Sequence, residues 1–302
     1  MKNFLPAGYL SDLSLEHFRS AAEAIPYQQI QHLLFVEHDI SVWIRRDDLI
    51  DPVISGNKAY KLLFSLLEAR ASGQRKIVSC GGAWSNHLHA LAAAGKRFGF
   101  GTVGIVRGER PARLSAMLQD AERWGMQLQF VSRADYRQRY KPDFAASLGY
   151  ADACWAPEGG DNDLGEQGVR FLGEVIKHTS PVSFDAVYCA AGTGATARGL
   201  AAAGLPVCGV PVLKIPAEEL QQGAQGLDWL EGMHCGGYGK CPRYLVEFQR
   251  DFELQAGIPM DPVYTAKLLY GVCQQIGYGS IKKGSNLLFL HSGGLQGSRG
   301  YP

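Results

Sequence analysis

The sequence has no apolar run approaching the roughly 18 residues that a helix needs to cross a bilayer. It has no surplus of either charge: 30 Lys and Arg stand against 29 Asp and Glu, for a formal net charge of +1. That balance argues against a broad electrostatic surface for nucleic acid or anionic membrane. There is no Cys-x-x-Cys pair. The seven cysteines, at 80, 154, 189, 208, 235, 241 and 273, are odd in number and scattered, and several fall in apolar runs. They read as reduced, buried thiols, which excludes a disulfide scaffold and leaves a cysteine–histidine metal site without ligand spacing. The start, Met1 to Gly8, lacks the charged-then-apolar pattern of a secretory leader. A cytoplasmic protein is the expectation. No Gly-X-Y period, internal repeat or low-complexity tract is present.

What remains is a chain of 302 residues, long enough for two domains, with 46% hydrophobic and 20% charged residues. Such a composition buries a sizeable core. Glycine is in excess: 37 residues, about 12% against an average near 7%. The basic run Arg137-Gln-Arg-Tyr-Lys141 reads most simply as a solvated helix face.

Short apolar runs alternate with amphipathic segments. Strands are expected at 42–44, 76–80, 102–106, 127–131, 186–190, 206–210 and 287–290. Helices are expected at 58–71, 86–98, 113–124, 134–148, 164–178, from about 195, and at 262–276. The alternation predicts an α/β fold with two open, mostly parallel sheets flanked by helices.

The glycines cluster at Gly81-Gly82, Gly159-Gly160, Gly192-Thr-Gly194, Gly236-Gly237-Tyr-Gly239 and Gly293-Gly294. Three of these clusters directly follow a predicted strand, where open parallel sheets bind their ligands. Ala191, Gly192, Thr193, Gly194, Ala195 and Thr196 lead from a strand into a helix. Exposed N–H groups, the positive helix end and two threonine hydroxyls make a cup for phosphate there. Gly192-x-Gly194-x-x-Ala197 also fits the short dinucleotide fingerprint, but the acid that should hold a ribose is missing from Val212-Leu-Lys214. A lone phosphate of a smaller cofactor fits better than a nicotinamide dinucleotide.

In Ser55-Gly-Asn-Lys-Ala-Tyr-Lys61, Lys58 falls in the first turn of a helix, where the dipole opposes its charge and eases loss of the proton an amine must shed to form a Schiff base. In Gly82-Ala-Trp-Ser-Asn-His87, Ser85 and Asn86 open a helix, either as ordinary caps or as holders of a substrate carboxylate. His87 reads as a packed supporting group more readily than as a base.

Seven motifs occur in register over about residues 42 to 296: Ile44-Arg-Arg-Asp-Asp48, Ser55-Gly-Asn-Lys58 with Lys61-Leu, Gly82 to His87, Pro157-Glu-Gly-Gly-Asp-Asn162 with Leu164-Gly165, Ala191 to Thr196, Asp261-Pro-Val-Tyr-Thr-Ala-Lys267, and His291-Ser-Gly-Gly294. Together they resemble the 1-aminocyclopropane-1-carboxylate deaminase/D-cysteine desulfhydrase family, which uses pyridoxal 5'-phosphate on the tryptophan-synthase-β-like fold (fold type II). The resemblance implies that Lys58 carries the cofactor as a Schiff base. It implies that Asn86 bonds the phenolic oxygen and that Ser85, with His87 nearby, serves the substrate. Residues 191–196 would hold the phosphate, and Tyr264 and Tyr238 would face the substrate. Deaminase members carry Glu where this chain has Thr265, and an apolar residue where it has Ser292. Both hydroxyls, expected beside the cofactor, resemble the desulfhydrase side. The implied activity is β-elimination from a small amino acid, D-cysteine giving pyruvate, ammonia and sulfide. Cyclopropane deamination, elimination from another β-substituted amino acid, and a non-catalytic binder of cofactor or amino acid are the alternatives. A homodimer is implied as well, with a large cofactor-binding domain of residues 1–60 and 158–302 interrupted by a small one of 61–157. Departures stand at Tyr60, His89 and Ala90, expected near the pocket, and in an abbreviated stretch between Val212 and Gly236.

Overall fold

β-Branched and aliphatic runs bounded by glycine or polar residues form the strands, and a Ser or Asn cap opens several of the helices between them. The computed structural model describes residues 7–214, 219 and 226–301, so Met1–Pro6 and part of the stretch between Val212 and Gly236 lie outside the described residues. In chain order the first elements are α1 (Leu15–Glu23), β1 (Tyr27–Ile30), α2 (Leu33–Glu37), β2 (Ser41–Arg45) and α3 (Asn57–Ala71). Next come β3 (Lys76–Gly81), α4 (Asn86–Phe98), β4 (Gly101–Arg107), α5 (Ala116–Arg123), β5 (Gln127–Val131), α6 (Arg133–Tyr136), α7 (Phe144–Ser147) and β6 (Cys154–Ala156). The remainder is α8 (Asp163–Thr179), β7 (Ala186–Ala191), α9 (Ala195–Ala202), β8 (Val207–Pro211), β9 (Leu227–Trp229), α10 (Arg243–Ala256), α11 (Thr265–Gly277) and β10 (Asn286–Leu290).

Two sheets result, as the alternation predicts. One has six strands in the order β1-β2-β10-β7-β8-β9, parallel throughout except for the antiparallel edge pair β1 and β2. The other has four parallel strands in the order β5-β4-β3-β6. The last strand, β10, sits in the middle of the large sheet, where Phe289 pairs with Ile44 on one side and Tyr188 on the other. Helices cover both faces, which is why β3, β7 and β10 are apolar along nearly their whole length rather than alternating. One apolar cluster runs from Ile77 and Leu88 through Leu62 and Leu66 of α3 to Val187 and Leu288, joining the two sheets. α3 and α8 meet so closely that a methyl group on Gly168 would fall on the carbonyl of Tyr60.

Several expectations are corrected. The single helix expected over 134–148 is two short turns, α6 and α7. Ser132 caps the first, and Pro142 disfavours helical backbone at Lys141 and so breaks the run. The basic stretch 137–141 is therefore a turn, not a solvated helix face, and its Arg139 points inward to bond Glu158 Oε2 at 2.6 Å. The helix expected from residue 262 starts at Thr265, because the Asp261 carboxylate accepts from the N–H groups of Val263, Tyr264 and Thr265 and holds a turn there. The three-residue strands β6 and β9, the edge strand β1 and helix α10 were not foreseen.

Candidate active site

The loops after the carboxyl ends of β3, β7 and β10 converge on a cavity of about 640 Å³. Of the residues singled out in the sequence, Lys58, Ser85, Asn86, His87, Ala191, Gly192, Thr193, Gly194, Thr196, Tyr238, Tyr264 and Ser292 line it. Ala195 and Thr265 do not. Thr265 is buried in the first turn of α11, its hydroxyl bonded to the Asp261 carboxylate at 3.0 Å. Of the two hydroxyls expected beside the cofactor, only Ser292 faces the cavity.

Lys58 enters the cavity from the first turn of α3. The turn before it is set by Gly56, whose φ of +62° belongs to glycine and whose missing side chain lets the backbone press on the Ser292 carbonyl. The Lys58 amine donates to Asn57 Oδ1 at 2.9 Å. Burial and the neighbouring Lys61 push its pKa well below the usual lysine range, with Asp261 pulling weakly the other way. Lys61 stands beside it, its amine donating to the Gly159 carbonyl at 3.0 Å. Burial lowers Lys61 to about 8 against the opposing pull of Asp161. His87 is 2% exposed, and both ring nitrogens lack a hydrogen-bond partner among the described residues. Burial and then the charges of Lys58 and Lys61 lower its pKa well below the usual imidazole value, so the ring is neutral.

Ser85 does both jobs open to it in the sequence. Its hydroxyl caps α4 by accepting from Leu88 N at 3.2 Å, and it faces the cavity. Asn86 Oδ1 accepts from Gln296 Nε2 at 3.2 Å. Gln296 belongs to a closing turn, Leu295–Gly300, in which Arg299 pairs with Asp120 at 2.5 Å and which Tyr301 follows, donating to the Gly239 carbonyl at 3.1 Å. Tyr264 and Tyr238 meet edge to face, with ring centroids 6.4 Å apart. Burial raises the pKa of both phenols, so they stay protonated at neutral pH.

The departures expected near the pocket lie elsewhere. Tyr60 is fully buried, donating to Asp47 Oδ1 at 2.6 Å within an Arg45–Asp47 ion pair. His89 turns to Asp120 at 3.1 Å and to the Trp124 ring. Ala90 is buried in the core. The sequence reading missed Arg107, Arg139, Glu158, Asp161 and Arg198, all of which line the cavity. Arg198 joins Asp161 and Glu166 in one ion network beside the 191–196 loop. Arg107 had a readable signal, since it closes a predicted parallel strand at its carboxyl end.

The arrangement fits a phosphorylated aldehyde cofactor. The 191–196 loop opens α9 with no side-chain cap on its N–H groups, and the buried Thr193 hydroxyl has no partner among the described residues. A lysine whose amine burial shifts toward the neutral form stands in the same cavity. Residues 23–215 match the profile of the family described as pyridoxal-phosphate dependent enzyme. The chain belongs to that family. Its cofactor is pyridoxal phosphate.

Named relatives agree with the resemblance carried by the seven motifs. A Pyrococcus horikoshii protein, named provisionally as a 1-aminocyclopropane-1-carboxylate deaminase, is 29% identical over 92% of this chain and 93% of its own. The bifunctional D-cysteine desulfhydrase/1-aminocyclopropane-1-carboxylate deaminase of Arabidopsis thaliana is 28% identical over 85% of this chain and 73% of its own. The crystal structure of an ACC deaminase homologue superposes with a TM-score of 0.78 at 24% identity, covering 97% of this chain and 93% of that one. The last likeness establishes the fold, that of the fold type II enzymes. Among the described residues no helix is long and apolar enough to cross a membrane, and no group of His, Cys, Asp or Glu is placed to hold a metal.

Proposed function

We propose that this enzyme removes the β-substituent of a small amino acid, with D-cysteine giving pyruvate, ammonia and sulfide. The observation that carries the reading is the Lys58 amine, shifted by burial toward its neutral form and standing in one cavity with the Ser85–Asn86 helix start and the Tyr238–Tyr264 pair. Lys58 would bind the cofactor, the 191–194 and Thr196 groups its phosphate, and Asn86 and Ser292 its ring. The cofactor supplies an electron sink beside the substrate α-carbon.

This chain's own residues do the rest. The N–H groups at the start of α4 and the Ser85 hydroxyl hold the substrate carboxylate. Lys58 Nζ, its pKa lowered by burial and by Lys61, accepts the α-proton more readily than an ordinary lysine would. Tyr264, kept protonated by burial, donates to the departing sulfur as the Cβ–S bond breaks with its electron pair on sulfur. Water then replaces nitrogen at the α-carbon, releasing ammonia and pyruvate.

Cyclopropane deamination is the second reading. It is favoured by the names of the relatives, and Thr265, which does not line the cavity, weighs against neither activity. The enzyme is further proposed to be a cytoplasmic homodimer with a small unit over 61–157. Seven free thiols support the compartment, and the family resemblance supports the dimer. The deciding experiment is a visible absorption titration of the holoenzyme with D-cysteine, L-cysteine and 1-aminocyclopropane-1-carboxylate, with product assays alongside. Sulfide and pyruvate from D-cysteine alone support elimination. 2-Oxobutyrate from the cyclopropane amino acid replaces it with the second reading, and a protein with no visible band after added pyridoxal phosphate refutes both.

A further inference from the structure

The wall of the cavity formed by the small sheet carries positive charge that the mechanism above does not use. Arg107 is the last residue of β4, at the carboxyl end of a parallel strand, and its guanidinium lies beside the Gly82 turn that leads to Ser85. It is also close enough to Tyr238 for its charge to act on that phenol. Among the described residues it makes no ion pair and donates no side-chain hydrogen bond. Arg139 reaches the same cavity from the turn after α6. The two guanidinium carbons lie 5.9 Å and 4.9 Å from the centre of the buried Tyr136 ring, so one aromatic plane supports both. Outward from this point a groove of about 310 Å³ is lined by Arg107, Arg133, Tyr136, Arg137 and Arg139. Glu158 neutralises Arg139 alone. In a chain of net charge +1, four arginines around one groove, two of which also line the substrate cavity, are a local concentration of a single sign.

We infer that Arg107 is a specificity residue for a second anionic group on the substrate, a carboxylate, phosphate or sulfur oxyanion carried beyond the β-carbon. The inference rests on the elimination reading and names its substrate class. The α-carboxylate has its own donors at the start of α4, which leaves the unpaired Arg107 fork for a second charge on the same substrate. A planar fork bonds an oxyanion through two N–H groups, and the arginine-lined groove raises the local concentration of anions outside it. In the elimination the oxygen or sulfur atom that joins the anionic group to Cβ departs with the electron pair of that bond, taking the anionic group with it. The Cα–H pair becomes the Cα=Cβ bond, Lys58 takes the proton, and water later replaces ammonia.

The test uses holoenzyme and both enantiomers of O-phosphoserine, serine O-sulfate, 3-chloroalanine and cysteine. It adds two compounds with no β-leaving group, aspartate and 2-aminobutyrate, whose binding is read from the cofactor's absorption band. Wild type should favour the anionic member of each pair. Arg107→Gln should lower kcat/KM for anionic substrates and affinity for aspartate about 10- to 100-fold, the worth of hydrogen bonds to a charge. It should leave 3-chloroalanine and 2-aminobutyrate within about threefold, and Arg107→Lys should recover part of the loss. Equal losses on neutral and anionic compounds would assign Arg107 to the α-carboxylate and overturn the inference, as would a wild type with no anionic preference. If no compound is turned over, the elimination reading fails, and the aspartate against 2-aminobutyrate comparison still decides the role of Arg107.

Discussion

Asn57 Nδ2 donates to Thr196 Oγ1 at 2.9 Å, tying the residue before Lys58 to the glycine loop proposed for the cofactor phosphate. The two residues are 139 positions apart in sequence. The bond therefore fixes the distance between the two ends of the cofactor's proposed seat. Asn57 is also the acceptor for the Lys58 amine, so one side chain orients both.

Thr196→Val keeps the shape of the threonine and removes the acceptor, leaving the buried Asn57 amide unpaired. A loss of about 1–3 kcal/mol in stability is expected from an orphaned buried donor. Cofactor affinity should fall as well, because the loop and the lysine no longer move together. Urea unfolding and a pyridoxal phosphate titration of the apoprotein measure the two effects. Unchanged affinity would show that the tie is structural only.

Gly56→Ala places a methyl group against the Ser292 carbonyl at a backbone conformation that L-residues avoid. A destabilisation of about 3 kcal/mol or more is expected. The strain sits two residues from Lys58, so whatever folded protein forms should bind cofactor weakly. A variant with the wild-type melting temperature and visible band would contradict this account of the turn.

Lys61 predicts a pH dependence with a definite sign. Its folded value of about 8 lies below the ordinary 10.5, so between those limits the unfolded chain holds a proton that the folded chain has lost. Stability of the apoprotein should rise with pH across that window. In Lys61→Met this contribution disappears. The stability of wild type minus that of the variant should climb by about 3 kcal/mol from pH 8 to 10.5, at 1.36 kcal/mol per pH unit. The lost bond to the Gly159 carbonyl only adds a constant offset. A flat difference curve would show that the amine is charged in the fold.

Tyr60→Phe separates the core from the cavity. The hydroxyl serves the buried Arg45–Asp47 pair and touches nothing in the substrate cavity, so about 1–3 kcal/mol of stability should be lost. The cofactor band and substrate preference should be unchanged. A changed substrate preference would return this position to the pocket, where the family comparison of sequences alone had placed it.

The sequence was readable where burial on both faces writes itself as a continuous apolar run, as in β3, β4, β7 and β10, and where a strand ends on glycines. It was not readable in β6, β9 and β1. Runs of three or four residues carry no period, and only pairing along an existing sheet edge makes them strands. The glycine clusters located the cavity because close approach of backbone to ligand demands residue type. Arg139 escaped notice for the opposite reason. An arginine is at home on any surface, and only the fold shows that this one turns inward to Glu158. Tyr60 was misplaced by adjacency: it neighbours the cavity-lining Lys61, and one residue along a helix is about 100° around its axis. His89 and Ala90 were misplaced because α4 turns them away from the cavity, His89 to Asp120 and Trp124 and Ala90 into the apolar cluster.

The position of β10 governs when the molecule can be finished. It comes after all the other described strands in sequence, yet it fills the gap between β2 and β7. Until residue 290 has emerged from the ribosome, both of those earlier strands expose an unpaired edge, a state open to mispairing with another chain. The loop that follows β10 also supplies the Ser292 carbonyl against which the Lys58 turn is seated. Chains interrupted before residue 286 should therefore accumulate as aggregates, and the cofactor should be captured only by chains in which residues 286–292 are present and folded.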